Sequence, residues 1–295
     1  MLTCYTFIVL SIICYIGKGD TMGMLYSRLL TILNEEPLGS TYYHIALQML
    51  KMLKNISNMS INQLAEKCDV SKSTISKFIR NIGYEDFSEF HYAAIDTEDK
   101  YHNNFSFNNN VMNYLENQGY DSYMLTILDD IMSTYRELDW EKIHRLVQDI
   151  ELFETVAAFG LLFSETAAID LQYKLAYNRK VILTNINDIK QESFIERAGD
   201  NVLIIVFSDS GEFLDKYVRI DDFVNKKSFY KTKAKVVVIT SNQELEKDPR
   251  VAYTITYKKT QDLCTRRIVY GVLTDIIAFE YKKYKKSIDS SKSTL

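Results

Sequence analysis

Between residues 24 and 95 the apolar positions recur at the spacing of short helices. MLYSRLLTIL, residues 24–33, ends where Asn34–Ser40, with Pro37 and Gly39, breaks the pattern. Ser40 or Thr41 is placed to cap a second helix over roughly 41–55, whose Ile45, Leu47, Leu50 and Leu53 give it one apolar side. Three shorter helices are predicted at about 60–67, 71–81 and 86–94. The chain then turns polar, with Asn103, Asn104, Asn108, Asn109 and Asn110 clustered around two phenylalanines, and residues 96–121 are the expected linker. Beyond a helical stretch at about 122–150, short β-rich runs alternate with helical ones. The expected strands are Thr155–Phe159, Lys180–Thr184, Val202–Phe207, Lys235–Thr240 and Tyr253–Tyr257. That alternation predicts a parallel sheet with helices on both faces, closed by a helix over about 261–284.

Composition adds limits. The 295 residues, 46% of them hydrophobic, suffice for two cores, and only two prolines and ten glycines interrupt the helices. Cys4, Cys14, Cys68 and Cys264 form no CxxC pair, so neither a disulfide framework nor a zinc site is expected, and no cofactor is. All four histidines (His44, His91, His102, His144) precede residue 145, which leaves the second half without the side chain most used for acid–base work. The first sixteen residues are apolar, but the run is short of the roughly 20 residues of a membrane span and lacks a basic flank before it. Residues 1–23 are therefore expected to stand apart from the working protein, with translation starting at Met22 or Met24. Stable membrane association is not expected, and the cytoplasm is the expected location.

The most specific segment is SINQLAEKCDVSKSTISKFIRNIG, residues 60–83. Ile61, Leu64 and Ala65 give a short first helix its buried side, and Cys68, Asp69 and Val70 form a turn. Ser71 caps a second helix in which Ile75, Phe78 and Ile79 recur at i, i+3 and i+4 and must face inward. Its outer side presents Ser71, Lys72, Ser73, Thr74, Ser76, Lys77 and Arg80, without an acidic residue. Hydroxyls and cations on the first turns of such a helix suit base edges and phosphates in a major groove. The net charge of −4 is no obstacle, because residues 51–84 carry six basic side chains against two acidic ones. The other reading of this segment is a helical hairpin with a solvated basic face.

The run MSINQLAEKCDVSKSTISKFIRNIGYEDFSEFHYAA, residues 59–94, and the upstream GSTYYHIALQML resemble the N-terminal domain of RpiR/MurR-type regulators. The resemblance implies DNA contact for residues 71–80, with Phe78, Ile82 and Phe87 in the core. It also implies a sugar-isomerase (SIS) type second domain. FGLLFSETAAIDLQYKLAYNRK, residues 159–180, is similar to that domain's GxGxS-like turn: Gly160 and Ser164 match, and Leu162 replaces the second glycine. NVLIIVFSDSGEF, residues 201–213, is similar to its SxSGxT turn: Ser208, Ser210 and Gly211 match, and Phe213 replaces the threonine.

The expected architecture is thus multidomain, an all-α helix-turn-helix domain (24–95) and then an α/β three-layer, SIS-like domain with a parallel sheet (122–285), followed by a tail (286–295). Gly160, Ser164, Ser208, Ser210, Gly211 and Glu212 are the expected contacts to a sugar phosphate, the serines standing at the N-terminus of a helix, where backbone N–H groups favour an anion. They equally suit simple helix capping. Glu165, Glu192, Glu196 and Glu212 are read as solvated helix residues rather than as the base of an isomerase. Three functions stay open: a sugar-phosphate-responsive regulator acting as a homodimer or tetramer on a double-stranded DNA operator, a regulator with a silent pocket, and a sugar-phosphate isomerase with an accessory helical domain.

Overall fold

The computed structural model describes residues 21–102, 107–218, 223–225, 228–259 and 265–292. The chain divides into two units, 1–106 with 218–223 and 107–217 with 224–295. The first twenty residues of the apolar leader lie outside the described residues.

The described part of the first unit before residue 103 is helical. Helix α1 (Thr21–Glu35) leads to α2 (Thr41–Lys51), whose cap is Ser40, accepting from the Tyr43 amide at 3.1 Å. The second expected helix stops early, and Leu53–Asn58 form a 3-10 turn instead. Helices α3 (Ile61–Lys67), α4 (Lys72–Asn81) and α5 (Phe87–His102) complete the unit. Leu29, Ile45, Met49, Leu64, Phe78 and Phe90 are buried in one core, to which every one of these helices contributes.

The expected linker is largely helical among the described residues. Residues 96–102 finish α5, and 107–121 belong to α6 (Phe107–Glu137), which breaks at Gly119 with φ +77°.

The second unit is a three-layer α/β fold. Strands β1 (Thr155–Gly160), β2 (Val202–Phe207), β5 (Lys235–Thr240) and β6 (Tyr253–Thr256) form a parallel sheet in the order β1-β2-β5-β6, and β3 (Lys216–Val218) pairs with β4 (Phe223–Asn225) in a separate ribbon. Alternate residues of each strand enter opposite cores. Val156, Ala158, Leu203 and Ile205 meet α7 (Trp140–Leu152), α8 (Glu165–Tyr177) and α11 (Arg266–Lys292). Ala157, Phe159, Ile204 and Val206 meet α9 (Asp188–Arg197), Phe229 of the short α10 (Ser228–Lys231) and Leu245.

Two expectations are corrected here. Lys180–Thr184 is not a full strand, since only Leu183 bridges the outer edge of β1, opposite Ala157. Ile182 is buried but Val181 is 76% exposed, so this segment has one anchored side chain and no second face to hold it against the sheet. The expected tail is helical through Lys292 as the end of α11. With that edge counted, the chain order across the sheet is 2-1-3-4-5, whose reversal lies between β1 and β2, the position where open α/β sheets bind ligands.

Candidate nucleic-acid interface and ligand crevice

The reading head is built by two caps and a tight turn. Ser60 and Gln63 satisfy each other's backbone amides in a capping box at the start of α3, at 2.8 and 3.3 Å. Asp69 takes a left-handed conformation, φ +51°, and the Val70 amide returns to the Ala65 carbonyl at 3.0 Å. Ser71 then caps α4 by accepting from the Thr74 amide at 3.1 Å. Ile75, Phe78 and Ile79 are fully buried, and Tyr42 stacks edge-on against Phe78 at 5.4 Å. Burial pushes the Cys68 thiol up to about 11, so it serves as a small apolar side chain rather than a nucleophile.

The outer side of α4 is as its spacing predicts. Ser71, Lys72, Ser73, Lys77 and Arg80 are exposed, and Thr74 and Ser76 are half-buried. Their roles differ in detail: the Ser71 hydroxyl is engaged with the cap and with Ser73 and Thr74, and Ser76 bonds back to the Lys72 carbonyl at 3.1 Å. The Arg80 Nε donates to the Ser76 carbonyl at 3.2 Å.

In the α/β unit, the turns after β1 and β2 stand side by side at the carboxyl ends of the strands. Gly160 is needed there because a Cβ would lie 2.6 Å from the Ser164 backbone. Gly211 is needed for its φ of +88° and because a Cβ would lie 2.6 Å from Leu245. Ser208 is buried and accepts from the Phe213 amide, and exposed Ser210 accepts from the Glu212 amide, each at 3.4 Å. Both hydroxyls therefore retain a proton to donate. The helix expected after this turn is absent: Glu212–Leu214 form one 3-10 turn and the chain passes into β3. Phe213 and Leu214 are drawn into the core beneath the sheet, which stops the turn from extending.

The structure places an internal anion in this crevice that sequence reasoning missed. Asp209 accepts from Ser241 at 2.7 Å, Tyr257 at 2.5 Å and Lys259 at 2.5 Å, with Arg266 at 3.5 Å. Burial pushes its pKa up, but the bonds from Lys259, Tyr257 and Ser241 outweigh it and hold the carboxyl below its ordinary range. The Tyr257 oxygen, its proton given to Asp209, also lies 3.3 Å from the Tyr270 hydroxyl, and Tyr270 interacts with Ser164. The two turns are thus joined through Ser164, Tyr270, Tyr257 and Asp209. The signal available in the sequence was Asp209 itself, an acid between two serines of a supposed anion turn.

Glu165 corrects another expectation. Rather than a solvated residue, it is half-buried with one oxygen, Oε2, fully enclosed, and burial, with Asp188 adding to it, pushes its pKa up to about 7. Gln191 lies nearby in sequence to Asp188 and is 1% exposed, donating to the carbonyls of Gly160 at 2.9 Å and Asn185 at 2.6 Å. Glu196 is exposed as expected and pairs with Lys231 at 2.5 Å. Among the described residues no group of His, Cys, Asp and Glu side chains could hold a metal ion, and no helix is long and apolar enough to cross a membrane.

A capped helix-turn-helix with a basic outer face, followed by a three-layer α/β unit with a crevice at the reversal of its sheet, defines a DNA-reading protein of two units. Residues 34–99 match the model of the helix-turn-helix domain of the rpiR family, and the N-terminal unit belongs to that family. No curated protein matches the chain. Among solved structures, the Vibrio vulnificus NanR protein complexed with ManNAc-6P is similar at 17% identity, covering 92% of this chain and 97% of that chain with a TM-score of 0.46. The sugar isomerase domain of the RpiR transcription factor from Sphaerobacter thermophilus is 13% identical, covering 58% and 96%, with a TM-score of 0.42. A phosphoheptose isomerase from Francisella tularensis is 12% identical, covering 55% and 96%, with a TM-score of 0.42. Likeness at this level assigns the chain neither a ligand nor an activity.

Proposed function

We propose that the protein is a cytoplasmic transcriptional regulator of carbohydrate metabolism that binds an operator through α4 and a phosphorylated sugar through the crevice of its α/β unit. The observation that carries the first part is the outer face of α4, where Lys72, Lys77 and Arg80 stand exposed on a helix whose cap and buried face are fully satisfied. Lys77 and Arg80 reach phosphates, and Lys72, Ser73 and Thr74, on the first turn, reach base edges. As a homodimer, or a tetramer of two dimers, the protein presents two such helices to half-sites about 34 Å apart or a multiple of that. In the crevice, Ser164, Ser208 and Ser210 are the donors to the sugar phosphate, Gly160 and Gly211 let its oxygens approach the backbone, and Glu212 lies at the rim. Coupling of about 1–3 kcal/mol between the two sites is enough for a 5–150-fold change in operator affinity.

A second reading, a regulator whose crevice has become silent, is favoured by one observation: Asp209 already neutralises Lys259 and approaches Arg266, the cations a phosphate would use. Mobility shift of DNA from upstream of the protein's own gene, at fixed salt and with a panel of sugar phosphates, separates the two. The sensor predicts a specific shift altered by one of them. A shift indifferent to all supports the silent crevice, and no sequence-specific shift overturns the regulator.

A further inference from the structure

The inner side of helix α6 is mixed: Ile127 is buried with Tyr123 and Ile131 packed near it, and Asp130 and Thr134 are buried beside them, Asp130 accepting from the Thr265 hydroxyl and Thr134 donating to the Lys258 carbonyl at 3.3 Å. Its outer side is apolar. Met124 is 54% exposed, Leu125 66%, Leu128 53%, Met132 43% and Tyr135 52%. At 100° per residue, Met124, Leu128, Met132 and Tyr135 fall within about 40° of one line along the helix, so they form a continuous stripe rather than scattered exposed residues. Trp140 lengthens it, its ring edge-on to Tyr135 at 6.1 Å.

The order of side chains on this face says what covers it. Tyr120, Met124, Leu128, Met132 and Tyr135 read the same from either end, with Leu128 at the centre. The charges fit the same symmetry: exposed Asp121 stands at the N-terminal end of the stripe and exposed Arg136 at the C-terminal end, about 22 Å along the helix. A helix laid antiparallel on its own copy brings methionine over methionine and an acid over a base at each end. We propose that α6 is the surface through which two copies of this chain pair, packed antiparallel about a two-fold axis beside Leu128, with Asp121 against Arg136 of the partner subunit. Asp129, about 100° around the helix from Leu128, stays on the solvated flank. The stripe belongs to the α/β unit alone, and the inference does not rest on DNA or effector binding.

Analytical ultracentrifugation of the full chain at about 10 µM tests it. The wild type is expected at twice its 34.3 kDa mass. Leu128→Asp with Met132→Asp, each change occurring twice across the axis, is expected to raise the dimer dissociation constant by at least about 100-fold, leaving monomer with an unchanged helical circular-dichroism spectrum. Asp121→Arg alone and Arg136→Asp alone are each expected to weaken pairing about tenfold, and the two together to restore it. The double exchange keeps the test decisive if the apolar variant fails to fold. A monomeric wild type, a dimer untouched by Leu128→Asp with Met132→Asp, or no recovery in the double exchange overturns the proposal. The last two outcomes leave the regulator reading standing, whereas a monomeric wild type also removes the paired presentation of α4 to two half-sites.

Discussion

Glu165→Gln isolates the half-buried carboxyl at the start of α8. With its pKa pushed from an ordinary 4.5 up to about 7, the side chain binds its proton more tightly in the folded protein than in the unfolded one. The sign follows from linkage: the folded state holds the extra proton between those two values, so wild-type stability falls as pH rises through that window and stays lower above it. The full displacement corresponds to about 3 kcal/mol, and because the side chain keeps part of its contact with water about half of that is expected. Glutamine is neutral throughout and removes this fall. Urea unfolding followed by tryptophan fluorescence reports the α/β unit selectively, since Trp140, the chain's one tryptophan, opens α7. The variant is expected to match the wild type near pH 5 and to exceed it by about 1.5 kcal/mol near pH 8.5. Parallel curves across that range would show that Glu165 is solvated and ionised like any surface acid.

Asp209→Asn keeps the shape of the crevice and removes its internal anion. It is expected to cost about 2–3 kcal/mol at pH 7, read as a lower urea midpoint, and the loss is expected to shrink as pH falls through the depressed value of the wild-type carboxyl. Gly211→Ala, at φ +88° and against Leu245, is expected to lower the thermal midpoint of the α/β unit by the equivalent of about 2 kcal/mol, and an unchanged midpoint would refute the need for glycine there. Phe78→Ala empties the centre of the first core and is expected to cost about 3–5 kcal/mol, seen as early melting of helical signal while the Trp140 transition stays in place.

How much of this was legible in the sequence varied with how local the determining physics is. The reading head was legible nearly to the residue, because Ser60 and Ser71 cap within three residues and Ile75, Phe78 and Ile79 repeat at helical spacing. The sheet was legible where a strand is buried on both faces, as Val202–Phe207 is, and failed at 180–184, where Val181 and Leu183 keep contact with water. The boundary between the two units, at 106/107, falls within the polar run of 96–121, although the described residues on either side of it are helical. The crevice was the least legible part. Its serines were singled out by the resemblance, with spacing alone leaving capping equally open, but Asp209 depends on Ser241, Tyr257 and Lys259, and Glu165 on its burial and on Asp188, partners set by the tertiary fold.

The central claim is that α4 reads DNA through its cations. Fluorescence anisotropy with a labelled operator duplex, at one fixed salt concentration, compares the wild type with Lys72→Ala plus Lys77→Ala. These exposed side chains leave the core untouched, so the variant is expected to melt like the wild type and to bind at least about tenfold more weakly. Equal affinity of a folded double variant and the wild type would contradict the account.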